Sequence, residues 1–264
     1  MNTNKNAMFK KIDAWFEVFI IDPISAPIAT FFSKFNVIHP LHFTVLSLTS
    51  KIFASILIFM DIYVVASFIF FLGILFDGID GKIARTKNLD IYLHGTLDFI
   101  TDHIGNLVFW FSLYKATHQH FIKELLILFI LLQFFHGSLA STKFRLFNML
   151  NDIDVDNPEN IEKKYVESLS IVNSKIIRMI AEIYLKLLSY STKYRTYPHP
   201  TEVDAEYTLY IFLPISFIIG SSISYIILGF AIITIIIGII YLFTIDIILT
   251  LKVNKERDLY EKNS

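Results

Sequence analysis

The chain has 264 residues, of which 54% are hydrophobic and 16% aromatic, and its mean hydropathy is +0.56. Apolar content this high, concentrated in long blocks, excludes an ordinary soluble domain and predicts a polytopic membrane protein. The formal net charge of −1 argues against a nucleic-acid-binding protein, and the absence of cysteine excludes disulfides, thiolate metal sites and a catalytic thiol.

The juxtamembrane region, residues 1–40, is predicted to lie at the membrane surface. Residues 8–21 place apolar side chains at helical spacing with charges opposite, which is typical of an interfacial helix with Trp15 at headgroup depth. An amphipathic helix packed on the bundle has the same pattern, so both interpretations stay open. Pro23 and Pro27 are expected to break the chain before the first membrane span.

Six apolar segments follow, and they predict an all-α membrane bundle of six transmembrane helices in a single domain. The spans cover approximately residues 41–60, 62–84, 91–114, 121–142, 206–221 and 224–250. The connection 146–205 opens with an acidic, turn-prone piece and continues as an amphipathic helical pattern. It is interpreted as a cytoplasmic interfacial helix or hairpin rather than a second domain.

Basic residues are concentrated in the connections between spans two and three and between spans four and five, and after span six. The alternate connections carry few. By the positive-inside rule, this asymmetry predicts that both termini are cytoplasmic.

Four aspartates occur within residues 77–102, which read DGIDGKIARTKNLDIYLHGTLDFITD. Asp77 and Asp80 share one helix face, and Asp98 and Asp102 share another, so the two pairs could form one cluster. The apolar part of the second span ends at residue 76 and is too short to cross a bilayer, so this span must continue through the first pair. The acids are therefore expected at the cytoplasmic boundary of the membrane.

Clustered carboxylates beside glycine, alanine and arginine suggest a divalent cation that holds a phosphate-rich ligand. Hard oxygen ligands suit Mg²⁺, Mn²⁺ or Ca²⁺. Arg85 could bind a phosphate oxygen, and one aspartate outside the metal shell could accept the proton of an attacking hydroxyl. A structural acidic cluster or a cation pathway through the bundle is the alternative.

The spacing of these residues resembles the signature of the CDP-alcohol phosphatidyltransferase family, DxxDGxxAR followed by eight residues and GxxxDxxxD. Seven of the eight signature positions match, and His94 stands where the family has glycine, with Gly95 one residue late. Pro40 and Thr44 in HPLHFT are similar to the family's PNxxT entry to the first span, where Leu41 replaces asparagine.

The resemblance implies roles for the matching residues. Asp77, Asp80 and Asp98 would be ligands of Mg²⁺ or Mn²⁺, and Asp102 would be a further ligand or the general base, with Asp98 and Asp102 closest to the catalysis. The CDP site would be lined by Gly81, Ala84, Arg85 and Thr44. The implied reaction attacks the β-phosphorus of a CDP-linked donor with an acceptor hydroxyl, releases CMP and forms a phosphodiester, usually in a homodimer.

Three basic residues are candidates for binding the acceptor alcohol. Lys51 lies near the middle of the first span, where a lysine needs a partner or water, so it either binds a headgroup phosphate or pairs with an acid of the bundle. Lys143 and Arg145 resemble residues with which some family members hold a phosphorylated acceptor, but ordinary positive-inside anchoring explains them as well. The acceptor, and whether CDP carries the lipid or the headgroup, stay open.

Two other functions compete with this hypothesis. An intramembrane prenyltransferase also uses aspartate-rich motifs and Mg²⁺ on a diphosphate, although the DG..AR spacing and the second DxxxD disfavour it. A cation transporter or a catalytically inactive scaffold would need the acids but not the rest of the signature.

Overall fold

The computed structural model of the protein describes residues 8–89, 91–149 and 175–263. These residues form eight α-helices and no named β-strand. The helices are α1 Asp22–Phe32, α2 Pro40–Phe59, α3 Tyr63–Lys87, α4 Ile91–Ala116, α5 His120–Met149, α6 Lys175–Ser191, α7 Glu202–Ile219 and α8 Ser221–Asn263. The all-α prediction is confirmed.

The bundle is arranged so that α2 packs along both α3 and α4, while α7 lies between α3 and α8, and α8 packs on α5. Its interior is apolar and aromatic. The rings of Phe70 and Phe109 lie 4.2 Å apart between centroids, and Tyr210 meets both edge-on. All three side chains are fully buried, so α3, α4 and α7 share one aromatic core.

Four helices are long and apolar enough to cross a membrane. They are Pro40–Phe59, Tyr63–Lys87, His120–Thr142 within α5, and Ser221–Thr244 within α8. Polar and acidic residues in α4 and α7 interrupt their apolar sequence, and these two helices do not meet the same criterion. An integral membrane protein is therefore supported, whereas six spans stay a prediction.

The N-terminal region differs from the predicted helix over residues 8–21. Residues 8–14 form bends and one bridge, helical structure begins near Trp15, and a π-helical turn covers Glu17–Ile21. Helix α1 follows directly and contains both Pro23 and Pro27, so the expectation that these prolines break the chain is wrong. Both prolines lack the N–H that would donate to the preceding turn, and packing of α1 against α3 offsets the bonds lost.

The amphipathic pattern in the 146–205 connection is helical over Lys175–Ser191, as predicted. Met179, Ile183, Leu187 and Tyr190 are exposed, and they recur at the spacing of one helix face. This exposed apolar face supports the interfacial location of α6, which stays a prediction. Residues 150–174 lie outside the described part of the chain.

Candidate active site

The two halves of the acidic motif meet because the chain reverses between α3 and α4. Helix α3 ends where Asn88 adopts a left-handed conformation (φ 49°), and the N–H of Leu89 donates to the carbonyl of Ala84 at 3.2 Å. Helix α4 begins at Ile91, so the motif's second half starts within a few residues of the end of its first half.

Three of the four motif aspartates form a compact group, which we call the acidic triad: Asp77, Asp98 and Asp102. One carboxylate oxygen from each lies within 4.8 Å of those of the other two. Asp77 Oδ1 is buried and has no hydrogen-bond partner among the described residues. Three hard oxygen ligands, one of them from a residue with a buried and unpartnered oxygen, fit a divalent cation of the Mg²⁺ type.

Asp80 is fully buried beside the triad but does not belong to that group of three. Its Oδ2 accepts a hydrogen bond of 2.7 Å from Thr44 Oγ1, which comes from the first turns of α2. The contact joins the two sequence motifs that carry the family resemblance. Thr44, predicted to line the nucleotide site, orients Asp80 in this structure, and the assignment of Asp80 as a metal ligand stays a prediction.

Lys51 reaches the triad from the middle of α2. Its Nζ lies 2.6 Å from Asp102 Oδ1, and its side chain is 4% exposed while that of Asp102 is 30% exposed. Lys51 is thus paired with an acid of the bundle, as one of the two interpretations from sequence expected, and its role as a headgroup-phosphate ligand stays a prediction. The hydrogen bond from Lys51 goes to Oδ1 of Asp102 and not to the second carboxylate oxygen, Oδ2.

Arg85 folds back over the glycine of its own motif. A Cβ on Gly81 would lie 3.4 Å from Arg85 Nη1, which is ordinary van der Waals contact with the guanidinium. Arg85 Nε donates to the carbonyl of Met8 at 2.8 Å, and Ala84 is buried next to it. The N-terminal region thus contacts the residues predicted to line the CDP site.

Lys82, near the end of α3, is buried in an ion-pair network. Its Nζ lies 2.7 Å from Asp22 Oδ1, and Arg195 Nη2 lies 3.1 Å from Asp22 Oδ2. The network connects α3, α1 and the segment before α7. The periodic apolar pattern gave no signal for it, because its members are far apart in the sequence.

A second contact set holds the N-terminal region against the start of α7. Asp204 accepts hydrogen bonds from the backbone N–H of Phe16 at 2.6 Å and of Trp15 at 3.3 Å. Tyr207 donates to Glu17 Oε1 at 3.0 Å. Burial, together with the charge of Asp13, raises the pKa of Glu17 to about 7. This acid lies next to the predicted nucleotide site and is poised to titrate near neutral pH.

The remaining predicted residues are not all placed by the structure. The side chains of His94, Lys143 and Arg145 lie outside the described residues, so their roles stay predictions. His103 is exposed and its ring contacts Phe99, away from the triad, as its helix position indicates. His136 is half-buried, and its Nδ1 lies 2.5 Å from Glu202 Oε2 without hydrogen-bond geometry, so the expected buried, hydrogen-bonded histidine stays a prediction.

Comparison with known proteins gives the class to which this site belongs. A family model described as CDP-alcohol phosphatidyltransferase matches residues 37–245, about four fifths of the chain, and this range contains Thr44, the acidic triad and Arg85. The chain belongs to the CDP-alcohol phosphatidyltransferase family. It is thus a membrane-associated transferase of phosphate-linked groups whose donor is a CDP-alcohol. No curated protein and no solved structure matches the chain.

Proposed function

We propose that the protein transfers a phosphatidyl or phospho-alcohol group from a CDP-linked donor to an acceptor hydroxyl in phospholipid biosynthesis, releasing CMP. The observation that carries the proposal is the close grouping of the Asp77, Asp98 and Asp102 carboxylates, in which Asp77 Oδ1 is buried without a partner. The family model matches the region of the chain that contains them. Family membership also favours this reaction over a prenyltransferase or a transporter.

Mg²⁺ or Mn²⁺ is the expected cofactor, held by the acidic triad. When bound, the cation would neutralise the diphosphate and polarise it for attack. The close grouping of three carboxylates supports binding of a divalent ion at this position. The choice of Mg²⁺ or Mn²⁺ rests on the hardness of carboxylate oxygen as a ligand.

The protein's own residues would orient the donor and move one proton. Arg85, with Nε fixed by Met8, presents the guanidinium Nη atoms as donors to a phosphate oxygen. Asp102, with Oδ1 held by Lys51, has Oδ2 left either as a further ligand of the ion or as the base that accepts the acceptor's hydroxyl proton. The acceptor oxygen forms a bond to the β-phosphorus, and the bond from that phosphorus to the oxygen bridging it to the CMP phosphate breaks, so that CMP leaves.

The test is CMP release by purified protein supplied with CDP-diacylglycerol or a CDP-headgroup donor, a panel of alcohols, and Mg²⁺ or Mn²⁺. Asp77→Asn and Asp98→Asn are expected to lower the rate by more than about 100-fold, since ligand loss should exceed the effect of losing an outer-shell partner. Asp61→Asn, an exposed aspartate at the opposite end of α3, is the matched control and should be unaffected. Full activity in Asp77→Asn would exclude the proposal.

Location and assembly belong to the same proposal. The apolar segments support six spans, loop charges support both termini and the triad on the cytoplasmic side, and the family supports a homodimer. Because the chain has no cysteine, single cysteines can be labelled in intact cells. A cysteine that replaces the exposed Tyr194 would face the cytoplasm and should be protected from a membrane-impermeant thiol reagent. A cysteine that replaces Gln119, in the connection between α4 and α5 on the opposite side of the membrane, should react.

A further inference from the structure

A group of polar side chains from three helices lies next to the acidic triad and has no part in the proposed chemistry. We call it the polar cluster: Asn106 on α4, Gln133 and His136 on α5, and Glu202 and Glu206 on α7. Glu206 accepts hydrogen bonds from Asn106 Nδ2 at 3.4 Å and from Gln133 Nε2. Glu202 Oε2 lies 2.5 Å from His136 Nδ1. Two carboxylates thus project between α4, α5 and α7.

The polar cluster is continuous with the reacting end of the site. Asn106 follows Asp102 by four residues on α4, which places it about 6 Å farther along the helix and on the same face. Glu206 is within electrostatic range of both Lys51 and Asp102. A molecule whose reacting hydroxyl lies at Asp102 would therefore also reach Asn106 and Glu206 if its length is about that of one helical turn.

The bundle is closed by an aromatic layer directly below this level. Phe109 follows Asn106 by three residues and Tyr210 follows Glu206 by four, so both rings lie one turn deeper on the same faces. Both are fully buried and pack against Phe70. The polar groups therefore end where the apolar core begins, so this aromatic layer bounds a ligand here on its inner side.

The charges of the polar cluster indicate which alcohol it suits. Among the described side chains, neither Glu202 nor Glu206 forms an ion pair with lysine or arginine, and Glu202 lies beside His136. The nearby ammonium group of Lys51 is already held by Asp102. A phosphate placed here would face two carboxylates, whereas hydroxyl or amino groups would donate hydrogen bonds to them.

We propose that the polar cluster is the binding site for the acceptor, and that this acceptor is a small alcohol without a phosphate group. Its reacting hydroxyl lies at Asp102, and its remaining hydroxyl or amino groups donate to Glu206 and Glu202. Asn106 and Gln133 are positioning residues, because they hold the carboxylate of Glu206 in place. The inference rests on the proposed function and narrows its substrate.

The first experiment measures CMP release from CDP-diacylglycerol with paired acceptors: glycerol and glycerol 3-phosphate, inositol and inositol 1-phosphate, serine and phosphoserine. At least one unphosphorylated member should have a kcat/KM about tenfold or more above that of its phosphorylated partner. Preference for a phosphorylated member would overturn the inference while leaving the proposed function intact. So would turnover found only with a CDP-headgroup donor and diacylglycerol. Failure of every donor and acceptor in folded protein would remove the proposed function and the inference with it.

The second experiment locates the acceptor with variants. Glu206→Gln should raise the KM for the best acceptor about tenfold, since it weakens a hydrogen bond to a charged group, and should leave the KM for the donor unchanged. Gln133→Met, which removes only the support of Glu206, should give a smaller shift in the same direction. Gln119→Ala, at the far end of the bundle where Gln119 contacts Tyr225, is the control.

A merely structural role of Glu206 gives a different result. It would lower the unfolding midpoint and kcat together and leave the KM for the acceptor unchanged, and that outcome overturns the assignment. If Glu206→Gln fails to fold, Gln133→Met decides the question by the same split between acceptor KM and kcat.

Discussion

Lys51 Nζ and Asp102 Oδ1 lie 2.6 Å apart, and they join the middle of α2 to the second half of the aspartate motif on α4. The lysine stem reaches this position across two glycines. A Cβ on Gly105 would come within 2.7 Å of Lys51 Cδ, and one on Gly73 within 3.1 Å of Lys51 Cγ. The ion pair therefore depends on small residues on both neighbouring helices.

Replacing Lys51 with methionine keeps most of the stem and removes the charge. The carboxylate of Asp102 then lies beside Asp77 and Asp98 without its cation, and loss of one partner of a buried pair destabilises a protein by about 3 kcal/mol. We expect the metal-free Lys51→Met variant to unfold at a clearly lower temperature than the wild type. Addition of Mg²⁺ should raise its midpoint more than that of the wild type, because the ion takes over the missing charge.

Lys123→Met is the control for this comparison, since Lys123 lies near the opposite end of the bundle over the ring of Tyr114. Its midpoint should stay close to that of the wild type, with or without Mg²⁺. An equal effect of Mg²⁺ on wild type and Lys51→Met would contradict the role of Lys51 as counter-charge of the triad.

Gly105→Ala tests the same contact from the other side. The new methyl group would overlap the stem of Lys51, so we expect a loss of roughly 1–3 kcal/mol in stability and a lower rate of CMP release. Gly229→Ala is matched to it, because Gly229 is also helical but has open space around its Cβ position. That variant should be neutral or more stable by up to about 1 kcal/mol. Equal unfolding midpoints for the two variants would show that Gly105 is not needed for the lysine.

The motif aspartates could be predicted from sequence because their relation is local. Helical periodicity puts Asp98 and Asp102 on one face, and a short connection between two helices brings Asp77 within reach of both. The apolar stretch before Asp77 also indicated correctly that α3 continues through Asp77 and Asp80, although the helix ends at Lys87 rather than near residue 84. Each of these steps uses residues separated by no more than one helix and one turn.

Contacts between distant segments could not be predicted in this way. The pairs Lys51–Asp102 and Lys82–Asp22 join residues 51 and 60 positions apart, and no periodic pattern marks which acid a buried lysine meets. The prolines of α1 were misread for a related reason. Propensity favours a break, but packing of α1 against α3 decides the conformation.

Asp204 provides a test of how the N-terminal region is held. Its carboxylate caps α7 through the N–H of Thr201 at 2.7 Å and also accepts the N–H of Phe16. Asp204→Ala should cost about 2–3 kcal/mol, the sum of a lost cap and a lost charged hydrogen bond. Limited proteolysis should then cut within residues 8–21 faster than in the wild type. Asp204→Asn keeps one acceptor oxygen and should fall between the two, and unchanged cleavage in Asp204→Ala would refute this anchoring.

Glu17 is expected to make stability fall as the pH rises towards neutrality. Burial raises its pKa to about 7 from an ordinary value of 4.5, so the folded protein binds a proton that the unfolded chain has already released over this interval. The native state is therefore destabilised as pH increases from 4.5 to 7, by about 3 kcal/mol in total if no other group compensates. In Glu17→Gln this contribution is absent, because glutamine does not titrate and still accepts the hydrogen bond from Tyr207. Unfolding midpoints measured from pH 5 to 8 should decline more steeply in the wild type than in Glu17→Gln, and parallel curves would show that Glu17 ionises normally.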